Sequence, residues 1–387
     1  MTRLLHTVFS LTTFFVLVSG VLAASFTPLG HIPGSSSSSS GLGVSDNGGV
    51  AVGIDRQAFR WTRGGGKVGL GFLPGGRVSS AANGVSGDGM VVVGSSRSAN
   101  SGTLPEAFRW TSGGGMVGLG DLPGGDFRSE AMAASANGSV IVGYSASAEG
   151  NSREAFRWTS GGGLVGLGDF PGGPFFSTAF GVSADGTVVV GLGRRASFVT
   201  EAFRWTAASG LVGLGDLPGA DFRSIALGVS ADGDVVVGNS SSANSGFGEE
   251  AFRWTAGGGM VGLGDLPGGY FKSRATGASG DGGVVVGIGT TDDSGRLEAF
   301  VWTQADGMQR LIDVLVANGA TGLDGWLLTD AQAVSADGRW VVGSCNPPGS
   351  FVSEPFLAFI APGDPPDPPD PDPAAQLAPV LIPLLLD

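Results

Sequence analysis

The chain has 387 residues, 72 of them glycine, and a formal net charge of −13. So acidic a surface repels nucleic acid and anionic lipid, which sets both aside as partners. Two histidines and one cysteine are too few for a closed zinc site, and a lone cysteine rules out an intramolecular disulfide.

In chain order, residues 1–24 read as a secretory signal peptide. Arg3 supplies the basic end, an apolar run follows from Val8 to Leu22, and small residues precede a cleavage point after Ala23 or Ala24. The expectation is an exported protein, secreted, at the cell surface or periplasmic, with no membrane span in the mature chain. Phe26 to Gly30 then resembles the last strand of a repeat that has not yet begun.

The repeat itself starts near residue 40. Ala-Phe-Arg-Trp stands at 58–61, 107–110, 155–158, 202–205 and 251–254, Ala-Phe-Val-Trp at 299–302, and a degenerate copy at Pro355 to Phe359. Successive tryptophans lie 49, 48, 47, 49 and 48 residues apart, the spacing of a four-stranded propeller blade. Within one period, Ala179 to Ser183 leads through Ala184-Asp185-Gly186 into Val188 to Gly191. Glu201 to Thr206 and Leu211 to Leu217 follow. The Asp-Gly pair marks a hairpin, because the turn needs a positive φ that glycine accepts.

These pieces are strands A, B, C and D, A being innermost. Strand B occurs seven times, and strand D seven times if Phe26 to Gly30 is the first and Met308 to Leu315 the last. The chain thus starts on a D strand and ends on a C strand. An open array gains nothing from that offset, whereas a ring gains a clasp that hides its sheet edges. The expected fold is all-β: a seven-bladed β-propeller over residues 25–361, closed by the N-terminal outer strand. A Pro/Asp-rich linker (362–376) and a short apolar tail (377–387) come after it.

Glu-Ala-Phe-Arg-Trp-Thr, the Gly-rich turn, Gly-Leu-Gly-Asp-Leu-Pro-Gly-Gly and Val-Ser-Ala-Asp-Gly resemble the HAF-type extracellular repeat of bacteria. The resemblance runs from residue 26 to about 361 and implies a secreted, propeller-like array with no defined activity. The chain departs from the His-Ala-Phe signature, carrying Gln57, Glu106, Glu154, Glu201, Glu250 and Glu298 where the family has histidine.

The chemistry-bearing residues favour a scaffold. His31 stands where other copies carry Asp121, Asp169, Asp216 and Asp265, so it reads as a repeat variant rather than a catalytic base. Most acids recur at equivalent positions, whereas a glycosidase pair needs asymmetry. No cofactor or metal is expected: the Gly-Leu-Gly copies precede no helix, and tandem calcium-binding nonapeptides are missing. Arg109, Arg157, Arg204 and Arg253 alternate with the aromatics of strand C. They are expected to be buried and to pair with Asp121, Asp169, Asp216 or Asp265. Cys345 reads as a tolerated thiol, with a link between two chains as the other reading.

Variation between copies concentrates in the B–C loops and in an insertion at 315–335 that contains Trp326. In a propeller the B–C and D–A loops share one rim. The candidate ligand-binding residues there are Arg77, Phe127, Arg128, Phe222, Arg223, Phe271, Lys272 and Trp326, with the phenylalanines as inward loop anchors in the competing view. The functional expectation is a non-enzymatic binding or surface-scaffold module for a polysaccharide or an extracellular protein. The alternatives are a carboxylate-dependent carbohydrate-active enzyme and a structural matrix component.

Overall fold

A computed structural model describes residues 23–360, apart from 36, 150–152, 247 and 292–294. The rest of the expected leader (residues 1–22), the linker and the apolar tail lie outside the described residues.

Seven four-stranded antiparallel sheets form a ring, a seven-bladed β-propeller. Blade 4 shows the common plan: strand A (Ser177–Val182), B (Val188–Arg194), C (Thr200–Thr206) and D (Gly210–Gly213). Numbered by their A strands, blades 1 to 6 span residues 40–69, 75–120, 129–166, 177–213, 224–262 and 273–310. Blade 7 combines residues 327–359 with the first strand, Ser25–Pro28.

The repeated residues form this plan because each satisfies a local need. The strand C phenylalanine is fully buried; Phe203, for example, packs with Ala179 and Val189 of its own blade and Val142 and Ala155 of blade 3. Enclosing such a ring stabilises by about 1.5–3 kcal/mol. Each A strand carries a bulge opposite the Gly of strand B, as between Ala179 and Gly181. A Cβ added to Gly191 would overlap the Thr178 carbonyl oxygen, and the other six copies meet the same obstacle. That close approach explains why Val-Val-Val ends in glycine.

The bulged residues are Leu42, Asn83, Met132, Phe180, Leu227, Thr276 and Gln332. Together they line the central channel, a space of about 240 Å³. Asn83 and Thr276 spend their donors on the carbonyls of Ala131 and Ala331 in the next blade.

Serines stitch blades together. The Ser177 hydroxyl accepts the Ala155 N–H at 3.0 Å and donates to the Gly168 carbonyl at 2.6 Å, both in the preceding blade's segment. Ser129, Ser224 and Ser273 repeat the arrangement. At the opposite end, the hairpin Ser183 hydroxyl donates to Asp185 and accepts the Val188 N–H. The Ala184 N–H reaches the Ala231 carbonyl of the next hairpin at 3.0 Å, one of six such bonds around the ring.

The expected pairing of strand C arginines with the Asp after Gly-Leu-Gly is not what the fold makes. Arg157, Arg204 and Arg253 are half-buried, and each donates its Nε–H at 3.2 Å to a hairpin glycine carbonyl of the next blade: Gly186, Gly233 and Gly282. The two residue types lie at different ends of the blade. Asp169 and Asp265 instead accept backbone N–H groups at the rim, from Phe176 and Lys272 respectively.

The ring closes as the strand count requires. Ser25–Pro28 pairs antiparallel with Glu354–Phe359, Phe26 opposite Ala358. The expected last D strand is shorter than read: it is Gly307–Arg310, and the chain then turns into a helix, α1 (Leu311–Ala317). Leu311 and Leu315, one helical turn apart, are fully buried in the cluster that also holds Phe26, Trp326 and Phe356. Asn318, at the end of α1, accepts the Ala24 N–H and donates its side-chain N–H to the Ile360 carbonyl. The insertion thereby fastens both ends of the clasp.

A second fastening lies on blade 1. The fully buried Asp55 carboxylate accepts the Ile32 N–H, the Ser35 hydroxyl and the Lys67 ammonium, and Lys67 also donates to the Gly30 carbonyl. Burial would raise the Asp55 pKa, but these donors outweigh it and hold the carboxyl below its ordinary value. Cys345 is buried, its thiol against the Glu354 carbonyl, and burial pushes its pKa up. A link between two chains through this thiol would need that strand to open.

Candidate ligand-binding rim

The D–A and B–C loops meet on the face opposite the A–B hairpins. Asp residues after Gly-Leu-Gly shape this face: Asp265 takes the Lys272 N–H at 2.6 Å and the Thr290 N–H at 3.3 Å, tying the D–A loop to the end of strand B. Burial raises the pKa of Asp265 and of Asp169, and the backbone donors partly offset it.

On that frame the expected site residues separate. Phe222 and Arg223 share a cleft of about 680 Å³ between blades 4 and 5, lined also by Phe198, Thr200, Asp221 and Ser242. Phe222 is 41% exposed and Phe198 70%. Phe198 sits at φ 63°, a left-handed conformation that costs a bulky residue on the order of 1–3 kcal/mol. Arg223 donates to Glu249 at 2.8 Å, and the same carboxylate takes Arg274 at 2.9 Å. Its charge is therefore offset in part within the protein, by a carboxylate that it shares with Arg274.

The other expected residues do not join that cleft. Arg77 is exposed on the strand A arm of blade 2. Phe127 and Phe271 are half-buried, in keeping with loop anchors, and Lys272 is half-buried beside Phe271. The Trp326 and Phe26 rings make a T-shaped contact at 5.1 Å, so part of the Trp326 surface serves the clasp. Its remaining surface lines a separate cleft with Arg310, Asp313 and Val316.

Arg128 belongs to an arrangement that the sequence reading missed. Its guanidinium carbon lies 5.6 Å from the Tyr144 ring centre, and Arg153 covers the same ring at 4.3 Å. Arg153 is also 5.8 Å from Phe176, and Arg194 stands over Phe176 at 4.3 Å. Arg195 continues the row over Phe170 at 4.5 Å while pairing with Glu201. The signal was present in the repeat: Phe176 occupies the position held by Arg128, Arg223 and Lys272 in other copies. A break in the pattern, not the pattern, marked the place.

His31 lies near Ser39 and Asp55, at 3.2 and 3.6 Å, but both approach its Nδ1. A nucleophile–base–acid relay needs both ring nitrogens, one for each neighbour, so this trio fastens the clasp and is not arranged as a relay. Among the described residues no group of three or more His, Cys, Asp or Glu is placed to hold a metal ion. No helix among them is long and apolar enough to cross a membrane.

No protein-family model matches the chain, and no curated protein matches it. Several solved structures are similar to it. A putative TolB from Agrobacterium tumefaciens is 15% identical, over 72% of this chain and 88% of that one, with a TM-score of 0.44. TolB from Acinetobacter baumannii is 13% identical, over 71% and 65%, with a TM-score of 0.43. A chain of a mitotic checkpoint complex is 13% identical, over 92% and 100%, with a TM-score of 0.47.

Proposed function

We propose that the chain is an exported, non-enzymatic binding module whose rim holds a polysaccharide. The observation that carries this reading is the cleft between blades 4 and 5. Two large aromatic side chains, Phe198 and Phe222, are exposed there above hydroxyl and carboxylate groups. Exposed aromatic faces next to polar edges suit a sugar ring, which has apolar C–H faces and a hydroxyl rim. Phe198 keeps its exposed position despite an unfavourable φ, and such strain gathers at ligand clamps. Loops on a rigid scaffold supply the asymmetry that recognition needs without disturbing the core.

The test is a glycan array probed with the full chain, alongside a reducing-sugar release assay. Binding to a defined set of glycans without release is the expected result. Phe198→Ala and Phe222→Ala together should weaken it at least tenfold. Catalytic release would replace this reading with the carbohydrate-active enzyme, and self-assembly without glycan binding would replace it with the matrix component.

A further inference from the structure

The row of arginines across blades 3 and 4 is the strongest charged feature outside the aromatic cleft. Arg128, Arg153 and Arg194 are half-buried, come from three separate segments, and alternate with the rings of Tyr144 and Phe176. None of the three has a carboxylate within 4 Å among the described residues, whereas Arg195, Arg223, Arg274 and Arg310 all do. The Arg128 Nε is buried and has no hydrogen-bond partner among the described residues. The nearby acids are mostly engaged: Asp169 takes the backbone N–H groups of Phe176 and Arg194 and lends Arg194 part of its charge, and Glu130 shares the Tyr144 hydroxyl with Arg128.

A guanidinium lying on an aromatic ring keeps its orientation and is held by roughly 0.5–2 kcal/mol. Its N–H edge remains free to take a carboxylate in two parallel hydrogen bonds. In a chain of net charge −13, three such cations in a row with no carboxylate in direct contact are a local reversal of sign. From this we propose that Arg128, Arg153 and Arg194 form an anion-binding strip for the carboxylates of a uronic-acid polysaccharide. The inference rests on the rim-binding reading and names the ligand class for part of that rim.

The rim-binding reading, with its exposed aromatic cleft beside the strip, favours a sugar polymer over a nucleic acid. Consecutive arginines share a ring, each guanidinium carbon 4.3 to 5.8 Å from its centre. The faces of Tyr144 and Phe176 are occupied by guanidiniums, so the strip offers charge recognition, while stacking belongs to Phe198 and Phe222.

Affinity electrophoresis of the full chain tests this, in gels containing polygalacturonate, its fully methyl-esterified form, neutral dextran or single-stranded DNA. Polygalacturonate should retard the parent, and esterification should abolish most of that effect. Arg153→Gln with Arg194→Gln should weaken the retardation at least tenfold. The corresponding pair of lysine substitutions keeps the charge and should retain part of it. Added salt should weaken binding by the parent protein steeply, a readout that needs no variant. Equal retardation by the esterified polymer, or a flat salt response, overturns the strip while leaving the rim reading in place. Retardation by DNA at least as strong as by polygalacturonate overturns the glycan assignment. No retention on any of these polymers overturns the strip, and the glycan array then decides the rim reading by itself.

Discussion

The two ends of the ring are built from the same repeat and use it in opposite ways. On the hairpin end, the Ser183 hydroxyl meets the same partners as its counterparts in other blades, and in blades 4, 5 and 6 the hairpin glycine carbonyl also takes an arginine bond from the previous blade. On the rim, equivalent positions diverge. Arg223 is tied to Glu249, Arg128 leans on Tyr144, and the matching position in the next copy is Phe176. Repetition therefore records what the ring needs in order to close, and departures from it record where the ring can differ.

The largest effect that would break this comparison concerns the clasp. Deleting residues 25–34 removes the strand on Glu354–Phe359 and the Ile32 N–H that Asp55 accepts. The exposed edge of blade 7 should then cause aggregation or a collapse of the melting temperature. A deletion variant that stays monomeric with an unchanged melting curve would show that the ring does not depend on closure.

Within the scaffold, Gly191→Ala pushes a methyl group onto the Thr178 carbonyl and should cost about 1–3 kcal/mol or more, measured by denaturant unfolding. Ser177→Ala leaves the Ala155 N–H and the Gly168 carbonyl without their bond. It should cost about 1–3 kcal/mol, the usual cost of stranded buried polar groups. Equal substitutions in other blades should cost similar amounts if the repeat is purely a closing device.

Acid should act on the clasp through Asp55. The folded Asp55 carboxyl has a lowered pKa, so its stabilisation is fully present above the unfolded carboxylate value of about 3.9. It is lost as pH falls through the lower folded value. Melting temperature followed below pH 4 should decline less steeply in Asp55→Asn, which starts lower but lacks this titration. At the small end, Arg223→Gln removes one of two cations from Glu249. With Arg223 nearly half exposed, the change should be at most about 1 kcal/mol.

Blade number, strand order and the clasp were legible because hairpin signals and the aromatic motif recur, and recurrence survives loop variation. Helix α1 was not, because Met308 to Leu315 carries the apolar residues of an outer strand. Only packing onto Phe26 and Phe356 shows that Leu311 and Leu315 share a helical face. The arginine partners were misread for a related reason. Equal numbers of Arg and Asp suggest pairing, but register places the two at different ends of a blade. Of the site, Phe222 and Arg223 were legible and do share a cleft. The strip through Tyr144, Arg153 and Arg194 was hidden, since its members come from three segments that the repeat does not align.

The separation of a closing scaffold from a binding rim is tested most directly by following two properties in one set of proteins. Glycan retention and melting temperature would be measured for the parent, for Phe198→Ala with Phe222→Ala, and for Ser177→Ala. The rim pair should lose retention at least tenfold with its melting curve unmoved. Ser177→Ala should melt earlier yet retain glycan fully wherever it is folded. Retention that follows melting temperature in both variants, or a rim pair that binds like the parent, would contradict the separation.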